Sequence, residues 1–249
     1  RGEALARYAY DKMGLRTFAS LAPADGYGQL LTDAFTATID KLGGTIIAQQ
    51  WYYPGTEDFK RHFQTIRATA LATAPPDTAV LNAFSRRKKE MAETGQRTLG
   101  SQDDEFEIPV RSIDGFFFPI YEEDIAIIAP QFALVNLQST LLGGDYWYHP
   151  DILRSQRRYV NGVVFFSGYY VNETNMEYID FRNRYRIITA QSPSALSVMG
   201  YDLGNQLDRI KKAGQLQDGR IADFMQNGTT FQGVAGTCRF SADVHVNRM

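Results

Sequence analysis

Cysteine is all but missing from this chain: 249 residues contain one, Cys238. An internal disulfide is excluded, and so is any zinc site built from several thiolates. Histidine is nearly as scarce, with only His62, His149 and His245. His149 stands between Asp145 and Asp151, a trio that invites a metal, but a histidine followed by Pro150 at a helix start reads as a turn residue. No metal and no cofactor is expected. No run of about 18 apolar residues occurs, so no segment has the length of a membrane-spanning helix. Neither sign of charge prevails: 26 Lys and Arg against 28 Asp and Glu leave a net charge of −2. Such a surface has no field to hold nucleic acid or an anionic membrane. Also missing are the Gly-x-Ser-x-Gly elbow of hydrolases, a phosphate-cradling loop ending in Lys-Ser or Lys-Thr, and Gly-x-Gly-x-x-Gly after a strand. No catalytic residue is expected, and the chain is read as a non-enzyme.

What the sequence has is alternation. Apolar residues Ala4, Leu5, Tyr8, Ala9 and Met13 recur at helical spacing and stop at Gly14. Leu15 to Leu21 has strand composition, Pro23-Ala24-Asp25-Gly26 turns, and a second helix runs from about Gly28 to Leu42, ended by Gly43-Gly44. Thr45 to Tyr52 returns as a strand and Asp58 to Leu71 as a helix. Later, Ile113 to Ile120 is almost wholly apolar, as a strand buried on both faces should be. A helix over Glu122 to Leu137 follows, then a short strand at Thr140 to Leu142, a helix over Ile152 to Tyr159 and a strand over Val160 to Ser167. Helices around Glu177 to Ile188, Ser194 to Ala213 and Arg220 to Gln226 precede a hairpin over Phe231 to Phe240. Strands separated by helices imply parallel pairing, so the expected fold is α/β: a three-layer sandwich around a mainly parallel, doubly wound sheet.

One stretch breaks the order. Ala72 to Ser112 holds Pro75-Pro76, the basic run Arg86-Arg87-Lys88-Lys89 and the acidic Asp103-Asp104-Glu105. It reads as a surface excursion with one short helix around Ala79 to Met91. Acidic residues flank the basic run and no aromatics interleave it, so it reads as a solvated helix face rather than a nucleic-acid site.

Three aromatic or acidic turns follow strands: Tyr27 after the first, Tyr121 after Phe116 to Ile120, and Asp145 with Tyr146 and Trp147 after Thr140 to Leu142. In doubly wound sheets ligands sit at the carboxyl ends of the strands. The turns are therefore either surface anchors and a cap, or the lip of a pocket for something small and polar.

Taken in order, Ala4 to Gly14, "LAPADGYGQLLTDAF", "LGGTIIAQQWYYPGTEDF", "DGFFFPI" and "LLGGDYW" resemble the type I periplasmic-binding-protein fold. The resemblance is to branched-chain amino-acid receptors and their lipoprotein relatives, the penicillin-binding-protein activators. "SVMGYDLGNQLDRIKKAG" followed by "FQGVAGTCRF" is similar to the family's late helix and hairpin. The likeness covers most of the chain apart from Ala72 to Ser112, a long excursion of the kind activator-type relatives carry. It implies two α/β lobes joined by three crossings. Residues 1–167 would form lobe two, 168–228 the rest of lobe one, and 229–249 a hairpin returning to lobe two. The first half of lobe one would lie before Arg1, and the abrupt helical start agrees with that expectation. The resemblance also implies that Tyr27 and Tyr121 face the cleft and that Asp145 pairs with a ligand ammonium, with Tyr146 and Trp147 beside it.

Two functions follow as expectations. One is a periplasmic or otherwise extracytoplasmic solute receptor of the ABC-transporter type, for an amino-acid-like ligand, anchored by lipid upstream if it is a lipoprotein. The other is a non-enzymatic activator domain that binds no solute and presents its excursion to an envelope enzyme such as a peptidoglycan synthase.

Overall fold

Strand and helix alternate from the first turn. The computed structural model describes residues 1–75, 78–93, 106, 108–168, 170–212, 214, 230–239 and 247–248. By its contacts the chain falls into two units, Arg1–Ser167 and Gly168–Met249.

In the first unit, α1 (Gly2–Arg7) runs through a π turn, Tyr8–Lys12, toward Gly14, whose φ of +74° ends it. β1 (Thr17–Pro23) leads to α2 (Gly26–Leu42). Asp25 caps α2 by accepting from the Gly28 N–H at 2.9 Å. At the other end Gly43 adopts φ +83°, a left-handed conformation suited to glycine. β2 (Thr45–Tyr52), α3 (Lys60–Thr73) and α4 (Thr78–Glu93) follow. Then come β3 (Gly115–Phe118), α5 (Glu122–Leu134), β4 (Thr140–Gly143), a 3-10 turn at Asp145–Trp147, α6 (Pro150–Ser155), α7 (Arg157–Val160) and β5 (Val164–Phe165).

The five strands form one sheet in the order β2-β1-β3-β4-β5, and every pairing is parallel. Strand alternation splits the core between its two faces. Phe18, Phe117 and Leu142 pack with Leu5, Leu31 and Phe35 of α1 and α2. Phe116, Phe118 and Leu141 pack on the opposite face with Phe63 and Ile66 of α3 and Ile125 and Phe132 of α5. Phe35 stacks on Phe117 at 4.3 Å between ring centroids, and Phe132 meets Phe116 edge-on at 4.9 Å. All four residues of β3 are buried, as required of a central strand covered on both faces. Each such phenylalanine contributes about 1.5–3 kcal/mol of burial free energy.

The expected three-layer arrangement with a parallel sheet is what forms, with differences at its edges. The apolar run Ile113 to Ile120 pairs only over Gly115–Phe118, because Ile113 and Ile120 bury themselves from the flanking loops. The strand over Val160 to Ser167 contracts to Val164–Phe165. The excursion does not stay outside throughout: Val110 is a core residue and bridges to Leu137 in parallel fashion. Its helix, α4, is longer than the short one expected. Buried Arg67 of α3 fastens this last part by donating to Val135 O at 2.9 Å and to Ile108 O.

In the second unit, α8 (Met176–Thr189) and α9 (Ala195–Lys212) share a small core of Val171, Tyr178, Phe181 and Val198 with Val234. Val234 belongs to the turn between β6 (Thr230–Gly233) and β7 (Gly236–Arg239), an antiparallel pair joined by β8 (Asn247–Arg248). Asp202 of α9 holds that turn, accepting from the Val234 and Ala235 N–H groups at 2.8 and 3.0 Å. The β6–β7 turn is thus fastened to α9. The helix expected over Arg220 to Gln226 lies outside the described residues.

Candidate functional site

Parallel strands all end on the same side. Between β1 and β3 the connections diverge, because α2 packs on one face of the sheet and α5 on the other. A sheet of order 2-1-3-4-5 opens a crevice at this switch point, outside the carboxyl ends of the strands.

Tyr27 in the first turn of α2, Tyr121 at the N-cap of α5 and Tyr146 in the turn after β4 meet there. Their ring centroids lie 5.0 Å apart for Tyr27–Tyr121, 5.1 Å for Tyr27–Tyr146 and 5.1 Å for Tyr121–Tyr146. Three turns widely separated in sequence thus make one aromatic surface. Tyr146 is its open side, at 42% exposure.

A polar layer lies among these rings. Tyr121 Oη donates to Asp25 Oδ2 at 2.9 Å, and Tyr52 Oη, at the end of β2, donates to Asp124 Oδ2 at 2.5 Å. Asp145 Oδ2 is ion-paired with Arg1. Two buried atoms, Asp145 Oδ1 and Tyr27 Oη, have no side-chain hydrogen-bond partner, and the Asp145 backbone N–H faces both groups. Burial pushes the Tyr121 phenol up to about 12, helped by its bond to Asp25. Burial also pushes Tyr27 well above the tyrosine range, with the neighbouring Asp145 charge adding to it, and raises Tyr52, which is tied to Asp124. The Asp145 carboxyl is raised by burial, with Arg1 opposing, and Asp124 is raised by burial, with Tyr52 opposing. A partly desolvated carboxylate favours a cationic or hydroxyl group that reaches it, through a charge-assisted hydrogen bond.

Of the residues expected to line a cleft, Tyr27, Tyr121, Asp145 and Tyr146 come together. Trp147 does not join them. It is 1% exposed, packs against Phe118 and spends its indole N–H on Phe118 O at 2.9 Å. The 3-10 turn sends neighbouring aromatics opposite ways, Tyr146 to the rim and Trp147 into the core. His149 caps α6, its Nδ1 facing the Ile152 N–H at 3.4 Å. Among the described residues no group of three or more His, Cys, Asp or Glu could hold a metal ion, and no helix is long and apolar enough to cross a membrane.

Two rim residues were not anticipated. Asp25 carries a sequence signal, since an Asp before Gly-Tyr-Gly at a helix start marks a cap. Arg1 carries none, because its partner is 144 positions away.

No family model and no curated relative matches the chain. Solved structures do. A leucine-binding protein LivK of Thermotoga maritima aligns over 99% of this chain and 59% of its own, with TM-score 0.67 and 19% identity. A branched-chain amino-acid ABC transporter protein from Rhodospirillum rubrum aligns over 100% and 60%, with TM-score 0.73 and 15% identity. The substrate-binding protein LivJ of Streptococcus pneumoniae, solved with isoleucine, aligns over 100% and 59%, with TM-score 0.63 and 18% identity. The chain has the type I periplasmic-binding-protein fold and spans about three fifths of the length of these proteins.

Proposed function

We propose that this chain supplies the solute-binding face of an extracytoplasmic receptor of the ABC-transporter type, that it takes an amino-acid-like solute, and that it catalyses no reaction. Residues 1–167 are then lobe two and 168–228 the remainder of lobe one. The observation that carries the reading is a buried carboxylate and a buried phenol, Asp145 Oδ1 and Tyr27 Oη, that no other side chain satisfies, beside the Tyr27–Tyr121–Tyr146 surface at the sheet's switch point. Buried polar atoms left without partners are costly in a folded protein, and a ligand is one way to satisfy them. A ligand ammonium has the donors that both oxygens lack. The tyrosine faces add apolar contact and cation–π attraction. The leucine and isoleucine named for the Thermotoga and Streptococcus proteins are of this chemical class.

The test is calorimetry on the native polypeptide with each of the twenty L-amino acids. One or more should bind, and Asp145→Ala should weaken that binding by roughly 2–5 kcal/mol, the cost of removing one partner of a buried charge pair. Binding unchanged in Asp145→Ala would remove the site. Binding by none of the twenty would leave the other reading, a non-enzymatic domain that presents its excursion to an envelope enzyme.

A further inference from the structure

A cavity opens at the end of the sheet opposite the crevice, where α3 runs out and the chain approaches β3. Its volume is about 420 Å³, and Leu71, Ala74, Pro75, Val80, Pro109 and Val110 supply apolar walls. Two of the stretches that make these walls are pinned to each other. Ser112 Oγ donates to Ala70 O at 3.2 Å, tying the segment before β3 to the last turns of α3. Val110 N–H donates to Asn136 O at 3.0 Å, Val110 O accepts from the Gln138 N–H at 2.9 Å, and Arg67 holds Ile108 O. The gap therefore cannot close by sliding this segment along α3. It is a preformed hollow within the size range of small-molecule sites, about 300–1,000 Å³, and such sites combine apolar walls with a few placed polar groups. Arg111 is the polar group here. It is exposed, and its Nε donates to Gln138 Oε1 at 2.8 Å, which orients the guanidinium. Among the described residues its Nη groups meet no acceptor, and no carboxylate lines the cavity.

We propose that this cavity is a second binding site, for a small amphiphile with an apolar body and one carboxylate head. The body covers the apolar walls and removes them from water. The head meets the Arg111 guanidinium, a planar and charge-assisted match. A neutral head forgoes that ion pair, and a cationic head faces a like charge. Ser112 spends its hydroxyl proton on Ala70 O and so offers the head no donor. The site stands apart from the receptor reading, because it lies at the other ends of the strands from Tyr27, Tyr121 and Asp145 and uses none of them.

The experiment is calorimetry on the native polypeptide with decanoate, decanol and decylamine, each below its micelle concentration. Decanoate should bind about 10-fold more tightly than decanol, the worth of one charge-assisted contact, and decylamine should bind more weakly than decanol. Arg111→Gln should bring decanoate down to the level of decanol and leave decanol unchanged. Ala74→Trp, at the exposed end of α3, places an indole in the hollow and should abolish binding of all three. Thermal melting controls for folding, and the acid-to-alcohol ratio in the wild type needs no variant at all. Amino-acid binding at the crevice should be the same in both variants as in the wild type, which separates the two sites. Failure of decanoate to bind overturns the assignment. So does equal affinity for acid and alcohol, or undiminished binding in a folded Ala74→Trp variant; none of these results touches the receptor reading.

Discussion

The Tyr121 hydroxyl donates to Asp25 across 96 positions of sequence, and the same carboxylate caps α2 with its other oxygen. One side chain therefore fixes both the start of α2 and the ring that forms the centre of the rim. Asp25→Ala should cost about 1 kcal/mol for the lost cap and strand the Tyr121 hydroxyl. Tyr121→Phe should cost about 1 kcal/mol. Because the two share one bond, the double variant should fall short of the sum, which urea unfolding of the four proteins measures. Strict additivity would show that the two groups do not interact in solution.

Alkaline stability follows from the rim's phenols. Tyr27, Tyr52 and Tyr121 all titrate above the ordinary value near 10 because folding buries them. The unfolded chain releases those protons first. Their contribution is fully present below the unfolded pKa and is lost as pH rises toward the folded ones. Stability should therefore fall steeply above about pH 10. Tyr27→Phe, Tyr52→Phe and Tyr121→Phe should each flatten that fall, and each should remove one late-titrating group from the tyrosinate absorbance. The raised carboxyls of Asp124 and Asp145 act with the same sign in acid. Their contribution is present below the unfolded carboxylate pKa and lost as pH rises, so Asp145→Asn should not lower the melting temperature at neutral pH.

Much of this architecture is legible in the sequence, for a physical reason. Strand β1 is a largely apolar, buried run and β2 a partly buried one, each closed by strong turn formers, and the glycines after α1 and α2 take the left-handed conformation that stops a helix. Length was less legible than existence. Ile113 and Ile120 are as apolar as the strand between them, and composition cannot separate a buried loop residue from a paired one. The candidate site was legible only as a position: turns after parallel strands converge whatever they contain. Which aromatic faces the rim was not, since Tyr146 and Trp147 are adjacent and only the 3-10 turn separates their directions. Arg1 was out of reach, because no local pattern announces a partner 144 residues away.

Arg67 shows how a charged residue becomes structural. It is 1% exposed, donates to Val135 O and Ile108 O, and lies 5.8 Å from the Phe106 ring. Those carbonyls belong to the end of α5 and to the chain entering Val110. Arg67→Met keeps much of the volume but leaves both acceptors unanswered, a loss of about 1–3 kcal/mol each if they stay buried. The urea midpoint should drop, and amide exchange at Val110 and Gln138, whose N–H groups bond to Asn136 O and Val110 O, should quicken more than exchange in β1. Unchanged protection at those two amides would show that the latch is unnecessary.

The last prediction separates fold from function at neighbouring glycines. A Cβ on Gly143 would lie 2.6 Å from Trp147 Cγ and 2.9 Å from Phe165 Cβ. Trp147 is buried and held by its bond to Phe118 O, so it cannot give way. Gly143→Ala should therefore destabilise by about 1–3 kcal/mol, the usual cost of overpacking. A Cβ on Gly144 would instead lie 2.6 Å from Tyr27 Oη and touch little else closely. Its φ of −87° suits alanine, so only the tip of the Tyr27 ring must move. That tip is one of the two buried atoms of the candidate site with no side-chain partner. Gly144→Ala should stay within about 0.5–1 kcal/mol of the wild type in stability. It should weaken amino-acid binding by about 10-fold, equivalent to roughly 1.4 kcal/mol. Melting curves and calorimetry on the two variants should then move in opposite rank order. If Gly144→Ala binds as tightly as the wild type, the Tyr27 hydroxyl does not touch the solute, and the contact surface must be drawn from Tyr121, Tyr146 and Asp145 alone.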